Sequence, residues 1–394
     1  MLPDELAKVK KTGHLRCPAP PRTVLESCLF REGSTMSMGA RKGAAAPPGR
    51  LRIALAQVEP ALGVLPANVA LHLKTAREAI RRGARLLLFP ELSLTGYLLQ
   101  DLVADVALRL DDAPALRPLL ALSRRIAMAV GLVEETAGHR YHNSALFLEG
   151  GRIRHVHRKV YLPTYGMFDE GRYFAAGDRL QAFPTSLGRM GMLICEDFWH
   201  PSNAVVLAHD GADYLLVLSN SPTEGIDREK GLRSLETWKD LVKVTAQIQT
   251  QFVAWVNRVG FEDGINFGGG SCVIDPFGRT VAEARLLEED LVVCDLERST
   301  LRRARTVYPL LRDERLPILS REVQRILALP AARSDEPEAQ RREPGVELHP
   351  PQVVALVGEE DLHARLPPVR AAGRARIRCT SRDRIGSRSS RRSG

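Results

Sequence analysis

LGRMGMLICEDFWHP, residues 187–201, carries an apolar run straight into a thiol, two carboxylates, two aromatic rings and a proline. The run reads as a buried strand that stops at Cys195, and PSNAVVLAHDG after it reads as a helix leading into a second strand, YLLVLSN. Upstream, ARLLLFPE is a strand halted by Pro90, with Glu91 at its end. RIRHVHRKVY reads as a strand that includes Lys159 and opens into LPTYGMFDEGRYF, which holds Glu170. Further out, LRIALAQ from Leu51, AMAVGLVEE, SALFLEGG, FVAWVNRVG, GGSCVIDPFG and DLVVCDLE read as strands. Helical spacing covers Asn68 to Arg82, Pro114 to Ile126 and about 231–250. Strands alternating with helices give an α/β fold of layered sheets, with no internal repeat.

At 394 residues, 44% hydrophobic and 26% charged, the chain has the composition of a soluble globular protein with a substantial core. Its net charge of +9 belongs to its ends. Residues 1–50 hold nine Lys/Arg against four acids, and residues 365–394 hold ten Arg against Asp383 alone, which leaves about −5 between them. Residues 1–50 are expected to be a disordered N-terminal extension, or the product of an upstream start codon ahead of Met36 and Met38. The sequence from 316 is a C-terminal extension, Arg-rich and mostly disordered from about 365, with PQVVALVG a brief apolar island. A nucleic-acid role would need a basic face on a folded module, and none is visible. Secretion and membrane spanning are not expected, because there is no signal-type segment and no 18-residue apolar stretch.

The six cysteines (17, 28, 195, 272, 294 and 379) lack disulfide-framework or zinc spacing, which suits a reducing cytosol. His142, His155, His157 and His200 do not form a metal set, and no phosphate loop occurs, so no cofactor is expected. Taken singly, Cys195 reads as a buried structural thiol, Glu91 as a helix cap, Lys159 as a solvated edge and Glu170 as a surface carboxylate. Their conjunction changes that reading. Amide hydrolysis needs a nucleophile, a proton shuttle and donors for the oxyanion, and Cys195, Glu91 and Lys159 can supply them.

The motifs FPELSLTGY, HRKVYLPTYGMFDE and LICEDFWHP, in that order, resemble those of the nitrilase (carbon–nitrogen hydrolase) superfamily. The resemblance covers roughly residues 51–315. It implies a four-layer α-β-β-α sandwich that pairs into an αββααββα stack, and a catalytic triad of Glu91, Lys159 and Cys195. Glu170 would orient Lys159, and the Glu196 backbone N–H would help hold the oxyanion. Tyr97, Tyr165, Phe198, Trp199 and Ser221, with the 220–230 loop, are the expected pocket walls. Glu134 and Glu135 are rivals for the second carboxylate. YHNSALFLEGG, SNSP and NRVGFEDGINFGGGSCVIDPFG also resemble family segments.

Within the family, KVYLPTYGMFDEGRYFAAGD and CEDFWHP are most similar to glutamine amidohydrolase domains of NAD synthetases and their stand-alone relatives. The expected activity is an amidase releasing ammonia from a small carboxamide through a thioester. An N-carbamoyl amidohydrolase and a glutaminase subunit serving a separate NAD synthetase are the alternatives, and an inactive interaction module is the non-enzyme reading. A homodimer or higher homo-oligomer, and an ammonia-accepting synthetase, are the partners the resemblance implies.

Overall fold

Alternate residues of strand β1 (Arg50–Gln57) face different layers. Leu51, Ile53 and Leu55 enter one core, while Ala54 and Ala56 pack with Ala76 and Ala79 of helix α1 (Leu65–Arg81) in another. From Ile53 to Ala56 both alternating sets are apolar, as a strand covered on both faces requires, while Arg50 and Arg52 at its start are exposed. The computed structural model describes residues 49–329, apart from Gly225 and residues 228–230. The expectations for residues 1–48, PQVVALVG, the Arg-rich tail and Cys17, Cys28 and Cys379 lie outside the described residues.

The chain continues through β2 (Leu86–Leu88), the short helices α2 (Val103–Val106) and α3 (Arg117–Leu122), and strands β3 (Ala127–Thr136), β4 (Arg140–Glu149) and β5 (Arg152–Arg158). Helix α4 (Glu170–Tyr173) precedes β6 (Phe183–Thr185), β7 (Gly188–Ile194), helix α5 (Pro201–His209) and β8 (Tyr214–Ser219). The small pair β9 (Ile226–Asp227) and β10 (Gly231–Leu232) leads into helix α6 (Arg233–Ile248). β11 (Phe252–Asn257), the hairpin of β12 (Val259–Glu262) and β13 (Ile265–Gly268), β14 (Cys272–Ile274), β15 (Thr280–Glu283) and β16 (Asp290–Glu297) complete the strands. Helices α7 (Arg298–Val307) and α8 (Leu310–Asp313) close a first unit that ends at Arg315. A second unit starts with helix α9 (Leu316–Leu327), whose Leu316, Leu319, Val323 and Ile326 are exposed.

Two six-stranded sheets result, ordered β16-β1-β2-β3-β4-β5 and β15-β14-β11-β8-β7-β6. Each has three parallel strands at its centre, β1-β2-β3 and β7-β8-β11, with antiparallel neighbours outside. The apolar faces of the two sheets meet in one core, where Ile53, Leu55 and Phe147 join Leu193, Leu216 and Trp255. Helices α1 and α3 cover the outer face of the first sheet, and Leu207 of α5 with Trp238 and Val242 of α6 covers the second. This is the expected α-β-β-α layering. Among the described residues no helix is long and apolar enough to cross a membrane.

Two elements differ from expectation for identifiable reasons. Instead of one helix over Pro114 to Ile126, a 3-10 turn (Pro114–Leu116) precedes six-residue α3. The Ser123 hydroxyl donates to the Leu120 carbonyl and accepts from the Gly151 N–H, which ends the helix and ties it to the β4–β5 turn. The strand expected to run through Lys159 stops at Arg158, because the N–H groups of Val160 and Tyr161 turn instead to the carboxylate of Asp197.

Candidate active site

Glu91 sits in the turn that Pro90 forces after β2, and its carboxylate is held by three donors. Oε1 accepts from Lys159 Nζ at 2.8 Å and Asn143 Nδ2 at 2.8 Å, and Oε2 accepts from the Asn220 backbone N–H at 2.8 Å. The Asn220 side chain also donates to the Glu91 carbonyl. β4 carries Asn143 and Asn220 follows β8, so both sheets grip this one glutamate. A carboxylate has about four acceptor sites, so one remains on Oε2.

Lys159 is fully buried and donates to Glu91 Oε1 and, at 2.7 Å, to Glu170 Oε1. Burial alone would lower its basicity, but the carboxylates of Glu170 and Glu91 outweigh that and hold the ammonium well above the ordinary lysine range. Glu170, the first residue of α4, also accepts from the Tyr97 hydroxyl at 2.9 Å. Burial pushes its carboxyl up to about 7 against the opposing pull of Lys159, with the Glu91 charge adding to the rise. Two carboxylates thus share one ammonium.

Cys195 begins the 3-10 turn Cys195–Trp199 with φ of 43°, in the left-handed region that side chains rarely adopt. Such a conformation costs on the order of 1–3 kcal/mol and persists only where its surroundings enforce it. Asp197, fully buried, provides that enforcement. Its Oδ2 accepts from the Ile194 N–H at 3.1 Å and from His157 Nε2 at 2.8 Å, while Oδ1 accepts from the N–H groups of Val160 and Tyr161 at 2.9 Å. One side chain thus ties the cysteine turn to the His157 ring before Lys159 and to the backbone just after it. The sulfur accepts from Ser219 Oγ at 3.4 Å. Burial and the Glu91 charge raise the thiol above its ordinary range, with Lys159 opposing, so the resting sulfur is protonated.

Cys195 opens into a cavity of about 350 Å³ lined also by Tyr165, Glu196, Trp199 and Ser221. The Tyr165 hydroxyl donates to Glu196 Oε2 at 2.8 Å, and Ser221 Oγ accepts from Trp238 Nε1 at 2.8 Å. Two expected walls lie elsewhere. Phe198 is buried behind the cavity and stacks on Trp238, with ring centroids 5.9 Å apart. Tyr97 belongs to a separate hollow of about 180 Å³ beyond Glu170, where its ring meets Phe267 edge-on. Glu134 binds Arg158 and Ser144 and takes no part in the cluster around Cys195.

Sequence reasoning assigned no role to Asn143, Asp197, Ser219 or Asn220, although YHNSALFLEGG, CEDFWHP and SNSP contain all four. It also passed over the start of α6, where Arg233, Ser234, Thr237 and Trp238 supply one side of the cavity, joined by Glu224 from the preceding loop.

The carbon–nitrogen hydrolase family matches residues 52–306. A glutamine-dependent NAD(+) synthetase from Thermotoga maritima is 33% identical over 250 residues, covering 63% of this chain and 42% of that protein. The chain therefore spans less than half the length of the curated relative it matches. Among solved structures, a carbon–nitrogen hydrolase from Helicobacter pylori G27 aligns with a TM-score of 0.64 and 25% identity, over 70% of this chain and 99% of that one. An amidase from Nesterenkonia sp. AN1, with the acetamide moiety of fluoroacetamide added covalently at its active-site cysteine, aligns with a TM-score of 0.59 and 25% identity. That alignment covers 71% of this chain and 99% of the amidase.

Proposed function

Because this chain belongs to the carbon–nitrogen hydrolase family, we propose that it hydrolyses the side-chain amide of a small amino-acid-like substrate, with glutamine the first candidate. The supporting observation is a thiol opening into a cavity while its charge environment is set by a buried Glu91–Lys159–Glu170 cluster. The neutral thiol transfers its proton to the open site on Glu91 Oε2 as sulfur attacks the amide carbon. The carbonyl electrons move onto oxygen, which the Lys159 ammonium and the Glu196 N–H stabilise. Collapse breaks the C–N bond, and Glu91 returns its proton to the departing ammonia. A water then gives a proton to Glu91 and attacks the thioester, and the thiolate leaves and regains that proton.

The cavity's charges favour a substrate with both an ammonium and a carboxylate. Arg233 forms no ion pair among the described residues and lines the cavity with Glu196 and Glu224. A substrate carboxylate would meet Arg233 and its ammonium the two glutamates. The T. maritima relative's glutamine dependence agrees with this chemistry. A separate synthetase is then a fitting acceptor for the ammonia, detectable as turnover stimulated by that partner.

The test is ammonia release from glutamine, asparagine, other ω-amides, carbamoyl amino acids and nitriles, comparing the native protein with Cys195→Ala. Glutamine-type amides should release ammonia and the variant should not; equal release by both would remove Cys195 from the reaction. Arg233→Gln should raise KM for glutamine by roughly 10–100-fold, the loss of a hydrogen bond to a charged group, with little change in kcat. An unchanged KM would remove Arg233 from substrate recognition.

A further inference from the structure

A second cavity, of about 670 Å³, lies at the far end of the same strands. Five arginines line it, Arg85, Arg124, Arg125, Arg152 and Arg154, with Glu149 the one carboxylate among the lining residues. That carboxylate is already engaged: Oε1 accepts from the Ser186 N–H at 3.0 Å and the Ser186 hydroxyl at 2.7 Å, and Oε2 lies 3.5 Å from Arg154. Among the described residues, Arg85, Arg124, Arg125 and Arg152 form no ion pair, and all four are exposed. The intervening sequence is mildly acidic as a whole, so four guanidinium groups without counter-charge are concentrated here against the general balance.

The walls are fixed. Gly150 and Gly151, at φ of 66° and 82°, form the β4–β5 turn, and the Ser123 carbonyl and hydroxyl accept their N–H groups. A Cβ on Gly151 would come within 2.7 Å of Arg124 Nε, so the glycine lets that side chain lie across the turn. Arg154 donates to the Pro184 carbonyl at 3.4 Å, joining β5 to β6.

We infer that this cavity binds a compact polyphosphate, either a free di- or triphosphate or its nucleoside ester. Planar guanidinium forks suit phosphate oxygens bidentately, and several converging on one cavity match clustered negative charge better than a single carboxylate would. The volume falls in the range of about 300–1,000 Å³ usual for small-ligand sites. The site is distinct from the Cys195 cavity and shares no lining residue with it. It nevertheless sits where three strands begin: Arg85 precedes β2, Arg152 opens β5 and Leu187 precedes β7. Their other ends deliver Glu91, Lys159 and Cys195, about 20 Å away along extended chain.

The inference is tested by titration calorimetry of the full-length protein with pyrophosphate, tripolyphosphate and ATP, in phosphate- and sulfate-free buffer at a fixed ionic strength of about 0.15 M. Saturable binding is expected, with Kd raised at least about tenfold by Arg124→Gln/Arg152→Gln and by Arg85→Gln, as loss of charge-assisted bonds requires. Unchanged melting temperatures would show that these exposed substitutions leave the fold intact. Tighter binding of ATP than of tripolyphosphate identifies a nucleoside ester; equal binding identifies the free anion. No saturable heat up to millimolar pyrophosphate overturns the inference. So does binding undiminished in the variants, which would place the anion elsewhere, the arginine-rich tail included.

Discussion

Glu170 is the residue whose charge state has the clearest consequence for stability. Its carboxyl is raised by burial from an ordinary 4.5 to about 7, so between these values the folded protein keeps a proton that the unfolded chain has released. Stability attributable to this group is therefore greatest at low pH and falls as pH rises through that window. Lys159, held well above its ordinary range, stays charged throughout and does not contribute there. Glu170→Gln leaves the Lys159–Glu91 pair neutral overall, so its melting temperature should fall less than the native protein's between pH 5 and pH 8. Parallel melting curves across this range would show that Glu170 does not titrate there. Asp197 is a buried carboxylate fully occupied by donors. Asp197→Ala should cost about 3 kcal/mol by leaving those donors unpaired, measured by chemical denaturation, and a loss below about 1 kcal/mol would contradict the clamp described above.

At the scale of elements, the site depends on a few backbones passing close together. A Cβ on Gly131 of β3 would meet the Leu92 nitrogen at 2.3 Å and the Glu91 carbonyl carbon at 2.8 Å, both rigid backbone atoms. Gly131→Ala should therefore displace the Glu91 turn. Overpacking of this kind costs about 1–3 kcal/mol, and a misplacement near 1 Å can reduce turnover about 100-fold. Native kcat in this variant would mean that the turn's position is not what places Glu91. The strand ends at Pro90 and Cys195 were legible because apolar runs stop there abruptly. Asp197, Asn143 and Asn220 were not, since a polar residue beside a motif reads alike whether solvated or holding a buried turn. The extension of the β5 strand past Lys159 failed for that reason: its competing partner, Asp197, is almost forty positions away in sequence. Phe198 and Tyr97 show a related limit, because aromatic rings near a motif carry no mark of which cavity they face.

For the whole molecule, the outer faces of α5 and α6 leave Val206, Val244 and Ile248 about half exposed, at 45%, 53% and 51%. Val244 and Ile248 are one helical turn apart and share a face. We propose that two copies pair through these helices. The native protein should then be a dimer by light scattering, and Val244→Lys/Ile248→Lys a monomer; a monomeric native protein, or an unchanged dimer in the variant, would reject this interface. The layered α/β architecture was legible from strand–helix alternation and the resemblance together, whereas the arginine-lined cavity was not, because its residues come from four separate stretches of chain.

Under the proposed mechanism, the split of the participating groups between two sheets governs when the protein can act at all. Glu91 and Lys159 leave the first sheet, while Cys195 and its Ser219 partner leave the second. A nascent or loosened chain that has built either layer alone owns a carboxylate and an amine without sulfur, or a sulfur without them. Catalysis would thus appear only when the layers dock, making recovered turnover during refolding a clock for that final event and leaving half-assembled molecules harmless to surrounding amides.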